Sequence, residues 1–316
     1  MVEYPLWMGL LLVAGGILML ALGASWLVEG ASRLALRLGV SPMIVGLTVV
    51  GFGTSMPEFS VSVLAAMRGS GGLGLGNAVG SNIMNLVMVL GVSALIYPIS
   101  VAGGRRVVQR DLVFGLLPAL LLLGLAWHGT ISRATALLLL AVFVVFMATC
   151  VRQSRSETGS RAVVAGSTIG HLALTAVGIA ILVTGAELMV RGGVSMALRF
   201  GVSEAVIGLS LVAFGTSLPE LATSVVAALK RQAEISVGNV LGSNVFNLGL
   251  IVGTAFTIRP AEVPEFVIRH DIPMLVAATA VVGLVVLRDG RIQRREGAVL
   301  LLMFLAYVTF LVIRGG

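Results

Sequence analysis

Long apolar runs fill this chain, broken at short intervals by charge, glycine and proline. Ten runs predict helices able to cross a bilayer, at roughly 6–29, 42–67, 73–97, 111–127, 134–151, 166–190, 203–229, 235–258, 271–287 and 297–313. A helix rises about 1.5 Å per residue, so about 20 apolar residues traverse the hydrocarbon core. The connections are short, and the longest, Arg152–Ala165, leaves no room for a folded domain. The short alternating segments of a transmembrane β-barrel are not seen. The pattern predicts an all-α polytopic membrane protein with ten transmembrane helices.

Composition agrees. Of 316 residues, 58% are apolar and 11% are charged, with a mean hydropathy of +1.06. A soluble protein of this size needs more polar surface, so a soluble enzyme, a nucleic-acid module and a disordered chain are excluded. The net charge of +7 comes from residues between the apolar runs, where they set orientation. With the N-terminus outside, loops facing the cytoplasm hold 14 of the 21 basic residues and the opposite loops hold 7. This bias predicts a multi-pass membrane protein with both termini outside. The first run lacks a preceding basic residue and is read as a span, not a cleaved signal. Cys150 is the sole cysteine, and His128, His171 and His270 show no metal-ligand spacing. No cofactor is expected.

The chain repeats itself. GLTVVGFGTSMPE at 46–58 returns as GLSLVAFGTSLPE at 208–220, and GNAVGSNIMN at 76–85 returns as GNVLGSNVFN at 238–247. The offset is constant at 162, with roughly 24 identities over the 53 positions from Gly39 to Gly91. This divides the chain into a first repeat, 1–151, a basic cytoplasmic linker, 152–165, and a second repeat, 166–316. Five spans per repeat is an odd number, so the second repeat enters the membrane from the opposite side. Two inverted five-helix repeats are a transporter architecture, with the second and third spans of each half meeting near the midplane.

The repeated strings carry the chemistry. Glu58 and Glu220 lie mid-span, where a charge costs roughly 2.5–3.5 kcal/mol on insertion scales. No basic residue falls inside these four spans, so a bound cation is the natural counter-charge. The simpler alternative is a pair of protonated glutamates tying helices together. Pro57 and Pro219 free the carbonyls of Gly53 and Gly215, beside the hydroxyls of Thr54, Ser55, Thr216 and Ser217. Gly51 and Ala213 are small and allow close approach. Ser81 with Asn85, and Ser243 with Asn247, are spaced i, i+4 and share a helix face. Gly76-x-x-x-Gly80 and Gly238-x-x-x-Gly242 are packing motifs, while Asn77, Asn82, Asn239 and Asn244 read as interhelical hydrogen-bond glue. The donors are all oxygen, which suits Ca²⁺ or Na⁺ and disfavours transition metals. Glu29 and Glu187 end or interrupt the first and sixth spans and are read as interfacial, and Asp111 and Asp271 are expected at helix N-termini.

At these strings the sequence resembles the cation/Ca²⁺ exchanger superfamily, specifically the short prokaryotic Na⁺/Ca²⁺ exchangers. The resemblance covers essentially the whole chain. It implies a secondary antiporter, not an enzyme, that moves Ca²⁺ against Na⁺ across the lipid bilayer, without nucleic acid, and with a monomer sufficient for transport. It places ion ligands on Gly51, Thr54, Ser55, Glu58, Ser81 and Asn85, and on Ala213, Thr216, Ser217, Glu220, Ser243 and Asn247. It also implies that the first and sixth spans slide across the remaining bundle. One departure is Asn247, where the resemblance expects aspartate. That leaves an H⁺-coupled or K⁺-dependent exchanger as an alternative, and a cation channel as a third reading.

Overall fold

The computed structural model describes residues 4–100, 104–126, 129–156, 166–200 and 213–315, which are almost entirely helical. Helix α1 is Leu6–Leu38. The second apolar run is broken into α2, Pro42–Thr54, and α3, Met56–Met67, bent by 48°. Then come α4, Gly71–Ile96, α5, Gly104–Ala126, and α6, Arg133–Ser156. In the second half, α7 is Thr168–Arg199, α8 is Ala213–Thr216 and α9 is Leu218–Leu229. The chain ends with α10, Ala233–Ile258, α11, Val267–Arg288, and α12, Arg294–Gly315. Four two-residue strands tie the halves together. Ile99–Ser100 pairs antiparallel with Arg291–Ile292, and Thr130–Ile131 with Ala261–Glu262.

Among the described residues, six helices (α1, α4, α6, α7, α10 and α11) are long and apolar enough to cross a membrane, and the bent α2–α3 pair makes seven. The runs at 111–127 and 203–229 yield shorter apolar helices, Val113–Gly124 within α5 and Leu218–Leu229. Residues 201–212 of the latter run, 157–165 of the linker, and Trp127 and His128 lie outside the described residues.

Helix α1 runs past its expected end at residue 29. Glu29 and Arg33 form an i, i+4 ion pair at 2.5 Å, which keeps charge tolerable on an exposed helix face. The helix stops at Gly39, whose φ of 70° is left-handed. Glu187 and Arg191, paired at 2.7 Å, carry α7 onward in the same way. Both glutamates therefore sit inside long helices.

The two long helices pack antiparallel through glycine. Gly9, Gly16, Gly23 and Gly30 recur every seven residues on α1, as do Gly178, Gly185 and Gly192 on α7. A Cβ on Gly16 would lie 2.7 Å from the Gly185 carbonyl oxygen, and one on Gly23 would lie 2.8 Å from that of Gly178. A Cβ on Gly192 would lie 2.7 Å from the Gly9 oxygen. The backbones touch, which only glycine permits. The pairing is reciprocal, because Gly16 and Gly178, and Gly23 and Gly185, stand 162 residues apart. The ends are clasped alike: Arg37 donates to the Gly166 carbonyl at 2.5 Å and Arg199 to that of Tyr4 at 3.2 Å.

The centre of the remaining bundle is α4 and α10, whose apolar windows are 72% and 89% buried. Gly238 and Gly242 of α10 press on the backbone of α2 at Met43 and Leu47. Gly76 and Gly80, expected to pack the same way, meet nothing within 4 Å among the described residues. The positions matching Met43 and Leu47 in the second half, 205 and 209, lie outside the described residues. Asp271 does not open its helix. It closes a π-helical turn, Val267–Asp271, is buried, and accepts a 2.8 Å hydrogen bond from Tyr307. The Asp111 side chain lies outside the described residues.

Candidate functional site

The bend that shapes the site falls at serine, two residues before each proline. Ser55 (φ −82°, ψ 7°) separates α2 from α3, and Ser217 (φ −88°, ψ 4°) separates α8 from α9. Pro57 and Pro219 then occupy the first turn of the following helix, where a missing N–H breaks no bond. This places Glu58 and Glu220 in first turns as well, at the positive ends of helix dipoles. The glycine carbonyl that joins the polar cluster is Gly51, with the hydroxyls of Thr54 and Ser243 each at 3.4 Å. Gly53 and Gly215 instead receive side chains of α7, Ile179 and Val190 respectively.

The expected residues converge. Glu58, Thr54, Asn85, Ser217, Glu220, Ser243 and Asn247 are 0% exposed, and Ser55, Ser81 and Thr216 are also buried. Ala213 heads α8. Each carboxylate is met by the other half of the chain: Ser55 donates to Glu220 Oε1 at 3.2 Å, and Ser217 donates to Glu58 Oε1 at 3.4 Å. Ser81 adds a bond to Glu58 at 3.4 Å. Thr54 donates to Asn239 Oδ1 at 3.0 Å and Thr216 to Asn77 Oδ1 at 3.4 Å, another matched pair.

Asparagines lock the helices around this centre. Asn82 donates to the Asn244 carbonyl at 3.0 Å, and Asn244 to that of Asn82 at 3.3 Å. Asn239 holds Ser224 at 3.0 Å and Asn77 holds Ser62 at 3.1 Å. These four act as the expected glue. Asn85 and Asn247 point their amide nitrogens away, to Asn244 Oδ1 (3.1 Å) and Asn82 Oδ1 (2.9 Å). Both lie in widened π turns, Asn85–Val89 and Phe246–Ile251, a feature concentrated at functional sites and not anticipated from sequence.

What remains is a set of oxygens with nothing to bind. Glu58 Oε2, Glu220 Oε2, Asn85 Oδ1 and Asn247 Oδ1 are buried with no hydrogen-bond partner among the described residues. Among the described residues neither glutamate has an ion pair. A buried acceptor left unmade costs about 1–3 kcal/mol, more when charged. Among the described residues no group of three or more His, Cys, Asp or Glu could hold a metal. The site therefore offers two carboxylates plus hydroxyl and amide oxygens, the donor set of a hard cation.

The family model described as sodium/calcium exchanger protein matches residues 8–152 and 170–313. The chain belongs to the sodium/calcium exchanger family. CaxA of Alkalimonas amylolytica, which carries an antiporter name, is 37% identical over 306 residues, 92% of this chain and 95% of that protein. The sodium/calcium exchanger MaX1 of Methanosarcina acetivorans is 28% identical, over 94% and 96% of the two chains. Among solved structures, the sodium-calcium exchanger NCX_Mj soaked with Na⁺ and Sr²⁺ superposes with a TM-score of 0.85 at 29% identity, covering 96% of this chain and 99% of that one. The family is one of membrane exchangers, so this member is a transporter.

Proposed function

We propose that this exchanger moves Ca²⁺ outward against inward Na⁺, by alternating access to a site near the bilayer midplane. The observation that carries this reading is the buried, cross-half cage with four unpartnered oxygens. Glu58 and Glu220 neutralise one Ca²⁺. Ser55, Ser81, Ser217, Ser243, Thr54, Thr216, Asn85, Asn247 and the backbone at Gly51 and Ala213 replace its lost hydration water. Na⁺ competes for the same oxygens. Two uncompensated carboxylates resist crossing the bilayer empty, so the site returns only when loaded, and exchange follows.

Ten spans in two inverted five-helix repeats (1–151 and 166–316, joined by the cytoplasmic linker 152–165) supply the matching halves. The reciprocal contacts of Gly16 with Gly185 and Gly23 with Gly178 support that reading. So do the reciprocal Ser–Glu bonds. The arginine bias places both termini outside, and one chain suffices for transport. The test is radiocalcium uptake into proteoliposomes driven by an outward Na⁺ gradient. Uptake that needs a proton or K⁺ gradient instead would move the coupling ion, as the neutral Asn247 allows. Open, non-saturating conductance would make the protein a channel.

A further inference from the structure

The two halves of the site are not covered equally. Lys230, just beyond α9, reaches α1: its Nζ donates to the Ser25 carbonyl at 3.0 Å and to the Ser25 hydroxyl at 2.8 Å. Leu218 and Pro219, at the head of α9, are buried. The matching Met56 and Pro57, at the head of α3, are only half-buried. The α1–α7 pair thus closes one end of the site and leaves the other looser.

The same 162-residue offset that relates the site halves relates Lys230 to Arg68 and Ser25 to Glu187. We propose that Arg68 and Glu187 form the closing contact of the opposite access state, as the counterpart of the Lys230–Ser25 contact made here. This rests on the alternating-access reading above. Swapping the roles of the two halves turns a lysine–serine contact into an ion pair. Both residues are available for it. Arg68 is exposed, and its side chain makes no hydrogen bond or ion pair among the described residues. Glu187 is held by Arg191 alone at 2.7 Å, with both side chains more than half exposed, a weak class of pair.

The bends carry a second sign of the same asymmetry. Ile179 fills the space at Gly53 and Val190 that at Gly215, both from α7. The swap assigns these contacts to α1, with Ile17 against Gly215 and Val28 against Gly53. Ile17 is 53% exposed and is not among the atoms nearest Gly215, whereas Val28 is already fully buried. The pair α1–α7, sealed by its own glycine seam, moves as one body between the two sets of contacts. Lys230 and Arg68 are its stops.

The test uses the full chain in proteoliposomes, with Arg68→Cys and Glu187→Cys together and a short reducible thiol-to-thiol linker. Cys150 is buried, so the unsubstituted chain is the blank. Linkage is expected to form and to arrest radiocalcium exchange, which reduction restores. Adding Lys230→Ala, which removes the present stop, is expected to speed linkage by about two- to fivefold, the worth of an exposed contact. As a second arm, Arg68→Glu should slow exchange and Glu187→Arg in the same chain should restore it. No linkage in a protein that exchanges at its normal rate overturns the proposal, as does a charge swap that fails to restore. Absence of Na⁺-driven Ca²⁺ flux in the unsubstituted chain defeats the exchange reading instead, and the linkage arm still reports whether the two positions meet.

Discussion

Asn247 donates its amide nitrogen to Asn82 Oδ1 at 2.9 Å and leaves its own Oδ1 buried without a partner. A carboxylate at 247 could not make that bond and would set two acceptors against each other. Asn247→Asp is therefore expected to destabilise the cation-free protein by about 1–3 kcal/mol, a few degrees in Tm. Saturating Ca²⁺ should more than recover the loss, because a third carboxylate strengthens a hard-cation site and ligand binding stabilises the folded state. Thermal unfolding in detergent with and without CaCl₂ reads both effects. A loss that Ca²⁺ leaves untouched would put residue 247 outside the site.

The two glutamates are expected to be individually indispensable. Glu58→Gln or Glu220→Gln leaves one charge to face a divalent ion and turns an unpartnered acceptor into a donor. Each should reduce Na⁺-driven radiocalcium uptake at least tenfold, equivalent to about 1.4 kcal/mol or more. Gel filtration should still show folded protein. Normal uptake by both variants would remove the proposed site.

Much of this was legible before any coordinates. Glu58 and Glu220 stood out because a charge inside an apolar run needs a reason, and duplication at a fixed offset supplied one. The clasp between Ser217 and Glu58 was not legible, since contacts across the repeats depend on how two halves dock and leave no local trace in either string. The position of the bend is hidden for a related reason. Proline predicts a broken hydrogen bond four residues back, but the chain breaks at Ser55 and gives Pro57 a first-turn position where it costs little. The seven-residue glycine ladder of α1 and α7 was written in the sequence, yet 40 glycines hide any one stripe.

The cross-half hydroxyls should weigh on affinity in a matched way. Ser55→Ala and Ser217→Ala each remove the hydroxyl that donates to the carboxylate of the opposite half. A hydrogen bond of this kind is worth about 0.5–1.5 kcal/mol, so apparent Ca²⁺ affinity should fall about two- to tenfold in each variant. Ser217→Thr, which keeps the hydroxyl, should retain most of it. Concentration dependence of uptake checks the series, and an effect confined to one half would argue against a shared ion.

Tyr307 is expected to matter for stability rather than for transport. Its hydroxyl, 2.8 Å from Asp271 Oδ1, satisfies a buried carboxyl remote from the glutamates in sequence. Tyr307→Phe keeps the ring and removes the donor, at a cost of about 1–3 kcal/mol. Tm in detergent should drop while the Ca²⁺ concentration dependence of uptake stays unchanged. A shifted concentration dependence would tie this pair to the ion path.

The glycine seam makes the sharpest steric prediction. A Cβ on Gly23 falls 2.6 Å from Leu182 N and 2.8 Å from Gly178 O, and one on Gly178 falls 2.5 Å from Leu27 N. The obstacles are backbone atoms, so no rotamer change relieves them and the helices must part. Gly23→Ala and Gly178→Ala should each cost about 1–3 kcal/mol by overpacking. Their combination should cost less than the sum, because the first methyl already opens the gap that the second occupies. Gly15→Ala, one residue from the seam with nothing within 4 Å of its added methyl, is the control. It should be neutral or stabilise by up to about 1 kcal/mol through helix propensity. Thermal unfolding of the four proteins separates the outcomes: equal effects at positions 15 and 23 would mean that α1 and α7 do not meet along this line.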